Sequence, residues 1–112
     1  MKLHEIAYRE EASSSFTHNG VEYSVNRLLR EIDPTTLEFV NVSDVEWVLQ
    51  YSTPDPSRVQ KADLHAPIVV IDFNGRLTCL DGLHRIAKAV ELKKQRLLGY
   101  TVTDSMLRIA RI

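Results

Sequence analysis

The run Pro67-Ile68-Val69-Val70-Ile71 constrains the fold more than any other stretch of the chain. Four consecutive β-branched residues favour an extended backbone, because their stiff side chains fit a pleated surface better than a helix. With no polar residue alternating among them, both faces of that strand must be covered. A proline at the start is tolerated, since the first residue of a strand need not donate to the ladder. Asn74-Gly75 then predicts a two-residue hairpin turn, and Leu77-Thr78-Cys79-Leu80 returns as the second strand. Beyond it Leu83, Ile86, Ala87 and Val90 fall at i, i+3, i+4 and i+7, which predicts a helix with those four residues buried.

The flanking segments supply material for covering that strand. Residues 1–15 mix charges with three serines and predict a short ordered piece followed by a mobile loop. Phe16 to Tyr23 predicts a small hairpin turning at Asn19-Gly20. Ser24 caps a helix with apolar positions Val25, Leu28, Leu29 and Ile32, which Asp33-Pro34 stops. Residues 37–42 alternate as a half-buried strand. Ser43 and Glu46 fit a capping box for a helix burying Val45, Val48 and Leu49, with Trp47 beside the stripe. Two prolines, Pro54 and Pro56, make residues 51–56 a loop, and a short helix covers Ser57 to Ala62. Residues 97–103 predict a last strand, and Thr103 caps a final helical turn with Met106, Leu107 and Ile109. Hairpins with intervening helices make an α+β domain, a small mixed sheet with flanking helices. Residues 1–36 form an N-terminal extension with its hairpin and helix, and residues 37–112 the main domain, one compact unit in all.

Composition narrows the function classes. A hydrophobic content of 44% and a charged content of 26% are those of a globular chain. A net charge of -1 and a pI near 6.4 argue against a general nucleic-acid binder. No apolar run is long enough to span a bilayer, and no signal-peptide pattern opens the chain, so a cytoplasmic protein is expected. One cysteine forms no internal disulfide, which agrees with a reducing compartment.

The chemistry concentrates in Asp81-Gly82-Leu83-His84-Arg85, between the second strand and the long helix. A helix N-terminus attracts anions through its unpaired N–H groups and its macrodipole. With Leu83, Ile86, Ala87 and Val90 turned inward, His84, Arg85 and Lys88 point elsewhere, and a phosphate there could take charged bonds from them. The plainer reading keeps Asp81 as a helix cap and pairs Arg85 with Asp81 or Glu91. Asp55, Ser57, Arg58 and Lys61 form a polar cluster whose plain reading is a solvated helix face. Trp47 and Tyr51 could stack on a base, although packing is the commoner use of such a pair. Cys79 reads as a small buried side chain and His65 as solvent-facing. The four histidines lack ligand spacing, so no histidine-held metal is expected, whereas a Mg²⁺ ion carried on phosphates needs few protein ligands.

The stretch from about Leu37 to Asp104 resembles the ParB/sulfiredoxin fold. The likeness is best in Ala66-Pro67-Ile68-Val69-Val70 and in Leu80-Asp81-Gly82-Leu83-His84-Arg85-Ile86-Ala87-Lys88-Ala89. It implies a stand-alone ParB-like domain that binds nucleotide phosphate through Gly82, His84 and Arg85. Asp81, Leu83 and Lys88 complete the expected site, and His84, Arg85 and Asp81 are the candidate catalytic residues. Members include clamps that hydrolyse CTP, ATP-using sulfiredoxins, a free-serine kinase type and ParB-like nucleases. Sulfiredoxins place their catalytic cysteine directly before the His-Arg pair, where this chain has Leu83, so sulfinic-acid reduction is not expected. Only eight residues follow Asp104, so the DNA-binding and dimerisation segments of a partition clamp are not expected either. A serine-kinase reading needs a carboxylate base, for which Asp44 and Glu46 are the nearest candidates. The expectation is thus nucleoside-triphosphate hydrolysis or phosphoryl transfer with Mg²⁺. The alternatives are a non-catalytic regulatory or protein-interaction module, and a nuclease.

Overall fold

The computed structural model describes residues 15–18 and 20–112. The ordered piece and loop expected over residues 1–15 therefore fall, apart from Ser15, outside the described residues, as does Asn19. The hairpin expected next is formed by β1 (Ser15–His18) and β2 (Val21–Ser24), paired antiparallel. Ser24 then caps α1 (Val25–Glu31), its side chain accepting from the Arg27 N–H at 3.3 Å. A 3-10 turn at Pro34–Thr36 leads into β3 (Glu38–Asn41).

The next helix departs from expectation. It starts at Val42, with Asn41 at the cap position, so the Ser43/Glu46 capping box is not formed. After one turn, α2 (Val42–Val45), the chain tightens into a 3-10 segment over Glu46–Gln50. The single helix expected there is therefore two short pieces. A six-residue helix, α3 (Pro56–Lys61), follows, with Asp55 accepting from the Ser57 N–H at 3.0 Å as its cap.

The remaining elements are β4 (Ile68–Phe73), β5 (Arg76–Asp81), α4 (Leu83–Glu91), β6 (Arg96–Val102) and α5 (Asp104–Ile109). Asn74 and Gly75 both take positive φ, 55° and 80°, as the β4–β5 hairpin requires. The sheet runs β3-β6-β4-β5, with β4 and β6 parallel and the other neighbours antiparallel, a mixed four-stranded sheet. With five α-helices among the described residues, the architecture is α+β.

The β-branched run lies between two cores. Val69 and Ile71 face one, with Tyr100, Val102, Leu107 and the α1 residues Val25, Leu28 and Leu29. Ile68 and Val70 face the other, with Val40, Val45, Leu97, Ile86 and Ala89. All four residues of the run are no more than 2% exposed, which is why no polar residue interrupts it. The α1 helix shares a core with β4 and β6 rather than sitting apart from them.

The phase of α4 differs from its apolar spacing. Its buried residues are Arg85, Ile86, Ala87 and Ala89, while Leu83 is half-buried and Val90 is exposed. The small alanines let the helix lie close on the sheet. Arg85, expected to face away from the interior, rotates inward with them.

Candidate functional site

A cleft of about 470 Å³ opens where β5 hands over to α4, and its other wall is α3 with the loops that flank it. Three local features shape the β5 side. Val69 pairs with Asp81 while Val70 pairs with Cys79, so Leu80 is one residue in excess on β5. Such a bulge bends its strand and re-aims the next side chain. Gly82 follows at φ +126°, and a Cβ there would stand 2.5 Å from Ile68 Cγ2. Glycine is thus required twice, by the backbone angle and by the β4 side chain beneath it. As the N-cap of α4, it brings no side chain that could accept from the first helical turn.

The charges of this wall are already engaged. The Arg85 side chain is 4% exposed; its guanidinium donates to the Pro67 carbonyl and lies 3.7 Å from Asp81, itself 13% exposed. One turn apart on α4, His84 and Lys88 both reach across to α3. His84 Nε2 accepts the Asp55 N–H at 3.2 Å. Lys88 Nζ donates to the Gln60 carbonyl at 3.0 Å and the Ala62 carbonyl at 2.7 Å, at the C-terminal end of α3. Each residue expected to meet a phosphate directly is therefore also an anchor within the fold. Asp81, Gly82, Leu83, His84 and Arg85 all line the cleft, whereas Lys88 does not.

The opposite wall contributes Arg58 and Lys61, which are exposed and make no hydrogen bond or ion pair among the described residues. In the sequence alone their plain reading is a solvated helix face. Their i, i+3 spacing was visible, but the partner wall 20 or so residues away in sequence was not. Asp63 also lines the cleft. The His65 backbone N–H at 2.9 Å holds its carboxyl below the usual carboxylate range. His65 itself faces solvent, its side chain 87% exposed.

Cys79, half-buried, also lines the cleft. Burial, with the neighbouring Asp81 charge adding to it, pushes its thiol up to about 12, so the thiolate is scarce at neutral pH. Trp47 and Tyr51 meet edge to face, with centroids 5.8 Å apart. The indole donates to the Leu77 carbonyl at 2.8 Å, and the Arg76 guanidinium lies 3.7 Å over its ring. These contacts are packing contacts. Asp44 lines a separate depression with Trp47 and Arg76, away from the α4 N-terminus. Among the described residues, no three His, Cys, Asp or Glu side chains gather as a metal site, and no helix is long and apolar enough to cross a membrane.

Chemically, two cations without a partner among the described residues share a polar cleft with a helix N-terminus. That arrangement suits a small anion with several oxygens, because cations, first-turn N–H groups and the helix dipole all favour negative charge at one point. No protein-family model matches the chain, and no curated protein or solved structure matches it either.

Proposed function

We propose that this cleft binds the phosphate end of a nucleotide, or of another phosphate-bearing small molecule, in a ParB-like domain. The observation that carries the reading is the pairing of Arg58 and Lys61, both without a partner among the described residues, with a start of α4 where Gly82 supplies no side-chain cap. Both cations line the same cleft as Gly82, Leu83 and His84 at the start of α4. The strand–turn–helix order that resembles the ParB/sulfiredoxin fold supports the same ligand class.

Hydrolysis or phosphoryl transfer is the reaction such a site suits. That chemistry depends mainly on holding the phosphates and offsetting their charge. Arg58 and Lys61 would supply the charge, and the first turn of α4 the orienting N–H groups. A Mg²⁺ ion carried in on a triphosphate would neutralise phosphate oxygens and needs only one or two protein carboxylates. Asp63, whose side chain keeps 41% exposure, fits that role better than Asp81, which is committed to Arg85.

A second reading, a binding or regulatory module without turnover, is favoured by one observation. The ring nitrogen of His84 and the carboxylate of Asp81 are both occupied by structural contacts, so the two residues best placed for proton transfer are engaged elsewhere.

A thermal-shift panel of ATP, CTP, GTP and their diphosphates with Mg²⁺ tests the proposal. A ligand present at 100 times its Kd stabilises the fold by about 2.7 kcal/mol, enough to read as a raised midpoint. Release of phosphate in the same samples separates the enzyme from the binding module. No shift with any nucleotide or with pyrophosphate would contradict the phosphate reading.

A further inference from the structure

We propose that His84 and Lys88 act on the bound anion without touching it, as positioning residues that hold α3 so that Arg58 and Lys61 face the cleft. This rests on the anion-site reading above and names how that site is assembled. The geometry is a two-point grip. His84, on the first turn of α4, accepts from the backbone of Asp55 at the N-cap of α3. Lys88, one turn on, donates to Gln60 and Ala62, at the other end of the same helix. Arg58 and Lys61 lie between the two grips.

Such a grip is needed because α3 has only six residues. Isolated helices of that length do not persist in water, so placement must come from caps and tertiary contacts. Here the contacts are the Asp55 cap, one buried apolar side chain, Val59 at 4% exposure, and the two α4 side chains. The Lys88 ammonium also meets the negative end of the α3 dipole, where a cation stabilises the last carbonyls.

The proton state of His84 follows from the bond it makes. Nε2 accepts, so it carries no hydrogen; the neutral ring keeps its proton on Nδ1. An imidazolium has no acceptor nitrogen, and protonation therefore breaks the grip. The charged groups that share the cleft with His84 are Arg58, Lys61 and Asp63 on the far wall, and Asp81 and Arg85 beside it. Lys88 follows on its own helix, Asp55 supplies the amide, and Glu46, Asp44 and Arg96 are the charged residues of the 3-10 segment, α2 and β6, which pack on α4. His65, paired with Asp63 at 3.2 Å, is the other histidine close to that wall.

Direct contact and positioning predict opposite signs. A histidine that touched the anion would gain charge on acidification and bind it more tightly. A histidine that holds α3 as an acceptor loses its bond, and binding weakens. The test titrates sulfate, whose charge is constant over the range, into the full chain between pH 8 and 5.5, following affinity and the Asp55 amide resonance by NMR.

In the wild type, affinity should fall about three- to tenfold towards pH 5.5, the worth of one hydrogen bond, while the Asp55 resonance titrates with the His84 ring. His84→Gln retains an acceptor at every pH and leaves His65 in place, so it should remove both dependences. Lys88→Ala should weaken sulfate binding at all pH values with the core intact, and Lys88→Arg should restore it. Tighter binding at low pH, or an Asp55 resonance indifferent to His84, would overturn the proposal. Sulfate binding at no pH would instead overturn the anion-site reading, and the Asp55 resonance would still decide whether His84 holds α3.

Discussion

On the α4 wall of the cleft, Arg85 is 4% exposed and bound to Pro67 and Asp81, and His84 and Lys88 are bonded to the backbone of α3. On the α3 wall, Arg58 and Lys61 stand exposed with no partner among the described residues. The two walls carry the same residue chemistry and use it differently. A buried, bonded cation is part of the fold, because its loss strands the groups it satisfies. A solvated, unpaired one contributes little to folding and is available to a ligand. The motif that first draws attention is therefore the scaffold of the cleft, and the plainer helix opposite provides the free charge.

Substitutions can break that contrast, and the largest effect is expected at Arg85. Arg85→Ala removes a buried guanidinium and takes its contacts from the Pro67 carbonyl and the half-buried Asp81 carboxylate, at a cost of about 3–5 kcal/mol in chemical denaturation. A variant as stable as the wild type would mean that Arg85 is not structural. Gly82→Ala should follow, destabilising by about 2–3 kcal/mol, since alanine must adopt a strained φ and collide with Ile68. Urea midpoints measure both, and the Gly82 effect should ease when Ile68→Ala is added, which removes the Cγ2 methyl that the new side chain meets first.

A smaller effect is pH-dependent. The Cys79 thiol is raised from 9.0 to about 12 by burial first and Asp81 second, so the folded state holds its proton more tightly than the unfolded chain does. The stability this contributes is complete below pH 9 and is lost as pH climbs towards 12, at no more than about 1.4 kcal/mol per pH unit. Unfolding free energies measured at pH 8, 9 and 10 should fall more steeply for the wild type than for Cys79→Ala. Equal slopes would show that the thiol is as solvated in the fold as out of it. The smallest effects belong to the α3 wall. Arg58→Ala and Lys61→Ala should each change stability by less than about 0.5 kcal/mol, as expected for surface positions.

Much of the fold could be read locally. The four β-branched residues required cover on both faces and received it from two cores. Asn74-Gly75 specified its turn through the positive φ angles that few other pairs tolerate. The α1 stripe, with Ser24 as its cap, also needed nothing beyond its own spacing. The readings that failed were those decided by distant groups. Apolar spacing in α4 turned Arg85 outward, yet the carbonyl of Pro67, 18 residues earlier, brings it in. The Ser43/Glu46 pattern met the local rule, but Val42 is anchored by its N–H to the Gln95 carbonyl at 2.9 Å and is buried, so the helix starts there. The bulge at Leu80 leaves no mark in the residue types.

The site divides in the same way. The Asp81–Arg85 turn was legible because strand, glycine and helix adjoin in sequence. Arg58 and Lys61 were visible as a charged pair without a destination. The bonds that bring them to the cleft join residues 26 to 29 positions apart, through His84 and Lys88, and no local pattern announces them.

The comparison between the walls is tested most directly by calorimetric titration of pyrophosphate into the wild type and into Arg58→Ala/Lys61→Ala. Losing two charged contacts should weaken binding about 100-fold or more while the unfolding midpoint moves by no more than about 4 °C. Equal affinities in the two proteins would contradict the account, since the charge that holds the anion would then have to come from the α4 wall.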